Sequence, residues 1–473
     1  MEKFFKLKEN ETTVKTEIIA GLTTFMTMAY IVALNPNVLT GFDVGSPLWN
    51  GAFMATCIAS AIGTICMAIL ANKPFAMAPG IGLNTFFAAV VVNIVTVTGM
   101  SYVESYQAAL CIILLEGIIF TILSLINVRD KIVQAIPVGI RHGFAPAIGL
   151  MLMEMGFGSN VAVYDEKGTP HYVMADFFGA LSPKLARDAM GASYSTMVLT
   201  AVTVFVGLFT IVILAHRGVK AAVILGMLIT SILYWIGEFV FLGINPFASL
   251  VTATFIPPFS DMFSTTLFKF NFRGLADIGW FAIITFVVTF CIIDMFDTIG
   301  TIVGTASRAG MIDKEGNMPE MKQALTSDAV GTLVGSATGT STVTTYIESA
   351  AGVEAGGRTG LTAITTGIMF LLCMFLAPIA AVIPAAATSA ALIYVGILML
   401  QGLRDIDFDD ISVCIPVFIM LITGPVSGSI GHAIGLALIS DVVIKLFTGK
   451  KEQISTLTLV LSLIFLVKFF LAL

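Results

Sequence analysis

Residues 73–84 read KPFAMAPGIGLN, and residues 338–348 read TGTSTVTTYIE. Both lie within long apolar sequence, and neither suits a helix. Pro74, Pro79, Gly80 and Gly82 disfavour continuous helix in the first. Thr338, Thr340, Thr342, Thr344 and Thr345 with Val343 favour extended chain in the second. Each stretch is followed by helix-compatible sequence. Extended backbone cannot face hydrocarbon bare, because each unpaired N–H or C=O costs several kcal/mol there. The stretches are therefore expected to pair inside the protein, as antiparallel strands over 73–80 and 339–346. They then hand over to half-helices beginning near Ile81 and Ile347. Loops outside the membrane are the alternative, but Lys73 is the one charge in 73–98 and full spans flank both stretches. A helix N-terminus carries roughly half a positive charge and free N–H donors. Two that face each other make a polar site at the bilayer centre.

The surrounding composition supports a membrane setting. The chain has 473 residues, 57% of them hydrophobic and 11% charged, with a mean hydropathy of +0.97. A bilayer-spanning helix needs ~20 apolar residues. This composition excludes a water-soluble enzyme. The net charge of −6 offers no general basic surface, so no nucleic acid partner is expected. Cys57, Cys66, Cys111, Cys291, Cys373 and Cys414 all sit in apolar runs without a C-x-x-C pair, which reads as packing rather than metal ligation or disulfides. The first 17 residues are polar and lack a cleavage motif, so no removed signal peptide is expected.

Hydropathy and Gly, Pro and charge punctuation divide the chain into fourteen segments. The first seven are 18–39, 51–72, the irregular 73–98, 105–127, 132–155, 195–215 and 219–241. The second seven are 276–304, 325–338, the irregular 339–357, 360–382, 384–403, 411–424 and 429–447. A further apolar stretch covers 454–472; Lys468 interrupts it and leaves its placement open between a span and an interfacial helix. With the N-terminus in the cytoplasm, alternate crossing puts 17 Lys and Arg inside and five outside, namely Lys167, Lys184, Arg187, Lys269 and Arg273. That bias favours a cytoplasmic N-terminus.

The halves repeat. IPVGIRHGFAPAIGLMLMEMG begins at Ile136 and IPAAATSAALIYVGILMLQGL at Ile383, an offset of 247. Pro137 matches Pro384, Gly149 matches Gly396 and Glu154 matches Gln401. Each motif opens the fifth segment of a seven-segment half. An odd number of crossings inverts the second half, the pattern of an inverted-repeat secondary transporter.

Polar residues inside spans mark the working site. A charge at mid-bilayer costs at least ~2.5–3.5 kcal/mol, so it needs a partner or a task. Asp294 and Asp297 in ITFVVTFCIIDMFDTIGT are three apart and share a helix face. Two such carboxylates repel, and at least one is expected to hold a proton near neutral pH, which suits proton coupling. Glu348 sits where the second irregular stretch meets its half-helix, and Asn84 occupies the matching place at an offset of 264. An amide and a carboxyl there can read a planar hydrogen-bonding ligand, or each can cap its helix. Glu116, Glu154, Glu238, Asp328, His432, Asp441 and the Arg141–His142 pair read as interhelical or interfacial groups. GTLVGSATGTST lacks the G-K-[ST] ending of a phosphate-binding loop.

Four motifs in order carry a resemblance over essentially the whole chain. They are TEIIAGLTTFMTMAYIVALNPNVL at 16–39, PFAMAPGIGLNTFFA at 74–88, DMFDTIGT at 294–301 and IESAAGVEAGGRTGLTA at 347–363. They resemble the hypoxanthine–guanine–adenine permeases, the AzgA-like branch of the nucleobase–cation symporter-2 family. Ser349 stands where the ascorbate and xanthine branches usually carry Asn, which makes xanthine and uracil poorer candidates. The resemblance implies an all-α polytopic membrane protein, a seven-plus-seven inverted repeat with two broken-helix strands. It implies a core domain of 1–131 and 276–382 and a gate domain of 132–241 and 383–447, with 242–275 an external connection and 448–473 a C-terminal apolar segment. A purine nucleobase would lie between core and gate, at Asn84, Asp297, Glu348 and Ser349. A proton, coupled through Asp294 and Asp297, would drive uptake across the plasma membrane, with no other cofactor and with a homodimer as the common assembly.

Other classes fit less well. Three carboxyls, Asp294, Asp297 and Glu348, would repel an anion. A channel would need a charged ring or a carbonyl filter motif, and neither is present. No nucleophile–base pair or metal cluster suggests an enzyme.

Overall fold

The computed structural model describes residues 2–126, 136–158, 161–164, 170–172, 182, 193–251, 253–308, 310–311 and 318–471. Arg129, Lys131, Lys167, Lys184, Arg187 and Lys314, and the expected domain boundary at 131/132, lie outside the described residues. The first half runs α1 (Val14–Met28), α2 (Ile31–Leu39), α3 (Pro47–Leu70), β1 (Met77–Pro79), α4 (Ile81–Thr98), α5 (Tyr102–Leu125), α6 (Val138–Phe157), α7 (Ser193–His216) and α8 (Ala222–Gly237). A small hairpin, β2 (Ala162–Tyr164) with β3 (Pro170–Tyr172), lies between α6 and α7. The connection holds α9 (Phe259–Thr265). The second half runs α10 (Trp280–Arg308), α11 (Met321–Thr338), β4 (Val343–Thr345), α12 (Ser349–Glu354), α13 (Gly360–Cys373), α14 (Ala385–Met399), α15 (Ile411–Ser427) and α16 (Ile430–Phe447), followed by α17 (Thr456–Leu471).

Local chemistry sets the ends. Ser46 accepts from the Trp49 amide at 3.1 Å and Pro47 occupies the first turn, so α3 starts four residues before the expected 51. Ser101 and Glu104 form a capping box at the start of α5. Among the described residues, ten helices are long and apolar enough to cross a membrane. The other expected segments fall short for visible reasons. Arg141, His142 and Glu154 dilute α6, Lys322, Gln323 and Asp328 dilute α11, α12 has six residues, and α15 has seventeen.

Packing follows the repeat. α3 lies against α11, β1 against β4 and α6 against α14, so the second, third and fifth segments each meet their own counterparts. Other contacts come in mirrored pairs. α3 packs on α13 as α11 packs on α5, and α7 on α8 as α15 on α16. This is an inverted repeat with its pseudo-twofold axis running between the matched elements. α1 to α5 and α10 to α13 make one group, the core. α6 to α8 and α14 to α16 make the other, the gate. The groups meet where α6 touches α4 and α10, and where α8 touches α1.

The connection is more ordered than a polar loop. Asn50 Nδ2 donates to Asp261 at 2.7 Å, and Gln107 Nε2 to the Thr265 carbonyl at 2.9 Å, which seats α9 over the ends of α3 and α5. α17 packs beside α16 and α10, with Phe465 against Gly435 and the Lys468 ammonium 4.8 Å from the Phe286 ring centre.

Candidate functional site

The two irregular stretches meet as expected. β1 and β4 are antiparallel, with Met77 opposite Thr345, Ala78 opposite Thr344 and Pro79 opposite Val343. Gly80 N donates to Thr342 O at 3.1 Å and Tyr346 N to Ala76 O at 3.0 Å, which extends the ladder at both ends. Every residue of both strands is buried. The backbone groups that broken helices leave open are thereby satisfied within the protein.

The half-helices are unequal. α4 starts at Ile81, as the sequence predicts, and runs eighteen residues. The second starts at Ser349, two residues after the predicted point, and α12 ends at Glu354, before Gly356 turns to φ +103°. Of the two helix starts expected to face each other, one opens a helix of eighteen residues and the other a helix of six.

The predicted site residues gather around this crossing in different ways. Asp297 is half-buried on α10, with its Oδ2 3.3 Å from the point a Cβ on Gly80 would occupy. Its electrostatic neighbours are Asp328 and Glu348. Glu348 is half-buried at the N-cap position of α12, yet its side chain does not cap that helix. Its Oε1 accepts instead from the Tyr30 hydroxyl at 2.7 Å. Asn84 lies inside α4 rather than at its cap, 1% exposed, where its Oδ1 accepts from the Ser341 hydroxyl and its Nδ2 approaches the Pro79 carbonyl at 3.4 Å. Ser349 Oγ accepts from Ala76 N at 2.9 Å. Asn84 and Ser349 thus brace the backbone on either side of the strand pair. Asp294 is fully buried and turns toward Thr298, whose hydroxyl is 3.0 Å from Asp294 Oδ1. Asp294 and Asp297 therefore share a helix but not a setting.

Several groups in the site carry no distinctive sequence signal. Tyr30 comes from the break between α1 and α2. The Tyr346 hydroxyl donates to Pro79 O at 2.5 Å. Phe144 of α6 stacks on Phe296 of α10 at 4.4 Å between ring centres, and a Cβ on Gly82 would stand 2.6 Å from Ile148 Cγ2. Through these contacts the gate closes over the core beside Asp297. A tyrosine or phenylalanine within an apolar helix reads as packing until the fold brings it to the crossing.

A buried strand crossing with carboxyls beside it, in the core of an inverted repeat that packs against a second bundle, is a transporter arrangement. The family model Xan_ur_permease, described as the Permease family, matches residues 15–424. The chain belongs to this nucleobase–cation symporter-2 family. Adenine permease AdeP of Escherichia coli (strain K12) is 36% identical over 470 residues, covering 99% of this chain and 95% of that protein. Guanine/hypoxanthine permease PbuO of Bacillus subtilis (strain 168) is 35% identical over 470 residues, covering 98% and 99%. Among solved structures, the transmembrane domain of a cyanobacterium bicarbonate transporter BicA aligns with a TM-score of 0.58 at 15% identity, over 89% of this chain and 97% of that one. That likeness shows the shared core-and-gate fold.

Proposed function

We propose that this permease imports purine nucleobases, hypoxanthine and guanine first and adenine next, by proton symport across the plasma membrane. The observation that carries the reading is the pair of half-buried carboxyls, Asp297 and Glu348, beside the strand crossing of a chain in this family. A purine is planar, neutral and edged with donors and acceptors. A carboxyl pairs bidentately with such an edge, whereas an anion would meet two acidic groups. The relatives named for adenine and for guanine/hypoxanthine support the same substrate class. In this reading Asp297 and Glu348 contact the base, Asn84 and Ser349 hold the frame it leans on, and the core (1–131 and 276–382) moves against the gate (132–241 and 383–447). The Lys and Arg distribution supports a cytoplasmic N-terminus, and a homodimer is the assembly that the family resemblance suggests.

Uptake of radiolabelled hypoxanthine, guanine and adenine in cells lacking their own permeases tests the substrate. Losing one partner of a buried charged hydrogen bond costs ~1–3 kcal/mol or more. Glu348→Gln is therefore expected to weaken uptake by about tenfold or more at normal membrane abundance. Uptake near wild type in that variant refutes the contact. Asp297→Asn is expected to weaken base binding itself, and Asp294→Asn to remove accumulation against a gradient.

A further inference from the structure

Asp328, on α11, reads in the sequence as one interhelical group among several. Its position is specific. Thr298 Oγ1 lies 3.0 Å from Asp294 Oδ1, 2.8 Å from Asp328 Oδ1 and 2.7 Å from Thr344 Oγ1 of β4. Asp294, Thr298 and Asp328 are 0% exposed and Thr344 is 1% exposed.

Counting hydrogens constrains this cluster. A hydroxyl has one hydrogen to give and two lone pairs with which to accept. With three partners, Thr298 gives its hydrogen to one and accepts from the other two. If it gives to a carboxylate, Thr344 supplies one of the accepted hydrogens. The second must then come from the remaining carboxyl, which has a hydrogen only when protonated. If it gives to Thr344, both carboxyls must be protonated. At least one proton resides on the pair in either case. Repulsion points the same way, because two carboxylates meeting on one oxygen and out of water cannot both stay charged cheaply.

We propose that Asp294 and Asp328 share one proton across Thr298, and that this is the proton carried in symport. The assignment rests on the symport reading above. It deepens that reading by naming Asp328, and by moving the proton from the Asp294–Asp297 pair to a bridge between α10, α11 and β4. Coupling to the base follows from the same contacts. Thr344 pairs with Ala78 in the crossing, and a Cβ on Gly80 would meet both Thr344 Cγ2 at 2.7 Å and Asp297 Oδ2 at 3.3 Å. When the proton leaves, Thr298 can serve only one carboxylate. The bridge then opens beside the strand against which the base is held.

Other titratable groups face the pair from the packed elements. Asp297 lies three residues along α10, Glu116 of α5 accepts from Thr342 at 2.5 Å, and Tyr346 and Glu348 follow β4, with Tyr30 behind Glu348. The cations on neighbouring helices stand further along. Arg141 is a turn from Phe144 on α6, and Lys468 lies over Phe286, more than two turns from Asp294. Among the described residues, Lys322 stands six residues before Asp328 on α11, and Asp297 is an electrostatic neighbour of Asp328.

The purified protein in proteoliposomes tests this with two readouts, the infrared carbonyl stretch of a buried carboxylic acid at neutral pH and hypoxanthine accumulation driven by a pH gradient. The wild type is expected to show both. Asp328→Asn keeps the bridge, since its amide donates to Thr298 as the acid did, but it cannot release a proton. It is expected to lose or shift the acid band and to lose gradient-driven accumulation, while detergent-solubilised protein still binds hypoxanthine. A wild type without the acid band, or Asp328→Asn with full gradient-driven accumulation, overturns the proposal. If Asp328→Asn fails to fold, Thr298→Val decides: loss of the hydroxyl partner must shift the acid band, and an unmoved band overturns the assignment. A wild type that shows the band yet accumulates base without regard to pH sinks the symport reading and the coupling role together. A wild type with pH-driven accumulation and no band sinks the shared proton alone.

Discussion

Gly149 and Gly396 face each other so closely that a Cβ on either would stand 2.5 Å from the other's carbonyl oxygen. They are the two glycines matched by the 247-residue offset, so the pseudo-twofold axis passes between them. α6 and α14 can meet at backbone distance because neither carries a side chain there. Forced overpacking costs about 1–3 kcal/mol. Gly149→Ala and Gly396→Ala are each expected to lower Tm in detergent and to reduce membrane abundance. Gly300→Ala is the control. Among the described residues, nothing beyond its chain neighbours and its own helix backbone lies within 4 Å of a Cβ there, and the substitution is expected to be neutral or to gain about 0.5–1 kcal/mol from helix propensity. Equal Tm values for Gly149→Ala and Gly300→Ala would contradict the close approach.

Glu17 of α1 caps a helix far from it in sequence. Its carboxylate accepts from Arg358 N at 2.9 Å, Thr359 N at 3.2 Å, Thr362 N at 3.2 Å and Thr362 Oγ1 at 2.6 Å, and it is 0% exposed. The orphan amides at the start of α13 are thus satisfied by α1, which ties the first segment to the eleventh. Glu17→Ala leaves these donors buried and unpaired, at a cost of about 1–3 kcal/mol or more. Glu17→Gln keeps one acceptor oxygen and is expected to fall between Glu17→Ala and wild type. Thermal unfolding of the two variants in the same detergent checks the order.

The fold was legible where composition conflicts with an apolar background. Pro79 and Gly80, and the threonines around Val343, mark chain that cannot be helix, and the demand for backbone satisfaction does the rest. Matched Pro and Gly positions revealed the inverted repeat for the same reason. The acidic residues were legible as costs in a membrane, but not in their partners. Asp294 and Asp297 share a helix face at i, i+3, and the sequence alone made them a pair. Yet Asp294 turns to Thr298 and Asp328, while Asp297 turns to the crossing. Which neighbour a side chain meets depends on α11 and β4, thirty and more residues away. Asn84 and Ser349 show the same limit, because both face the crossing but spend their hydrogen bonds on the chain around the strands, Asn84 on the Ser341 hydroxyl and the Pro79 carbonyl and Ser349 on the Ala76 amide.

Tyr30 positions Glu348 through its 2.7 Å hydrogen bond. A hydrogen bond to a charged group contributes about 1.5–3 kcal/mol. Tyr30→Phe is expected to raise the half-saturating concentration for hypoxanthine uptake by about tenfold. In a double-mutant cycle, adding Glu348→Ala to Tyr30→Phe should cost less than the two single effects together, since both remove the same bond. Strict additivity would separate Tyr30 from the role of Glu348.

Asp410 makes a pH prediction outside the membrane-spanning segments. It caps α15, accepting from Ser412 N at 2.9 Å and Ser412 Oγ at 2.7 Å, and it pairs with Lys450 at 2.6 Å. The hydrogen bond from Lys450, with those from Ser412, holds its carboxyl at about 2 instead of 3.8. A lowered value in the folded state means that the unfolded chain binds the proton first. The stabilisation is therefore complete above 3.8 and is lost as pH falls from there toward about 2. Asp410→Asn removes the titrating group, so the Tm gap between it and wild type should be widest near neutral pH and close across that acid window. Both partners of the pair are 34% exposed, so the gap should be modest and should shrink with added salt. A gap that stays constant from neutral pH to the bottom of the window would show that Asp410 contributes as a shape and not as a charge.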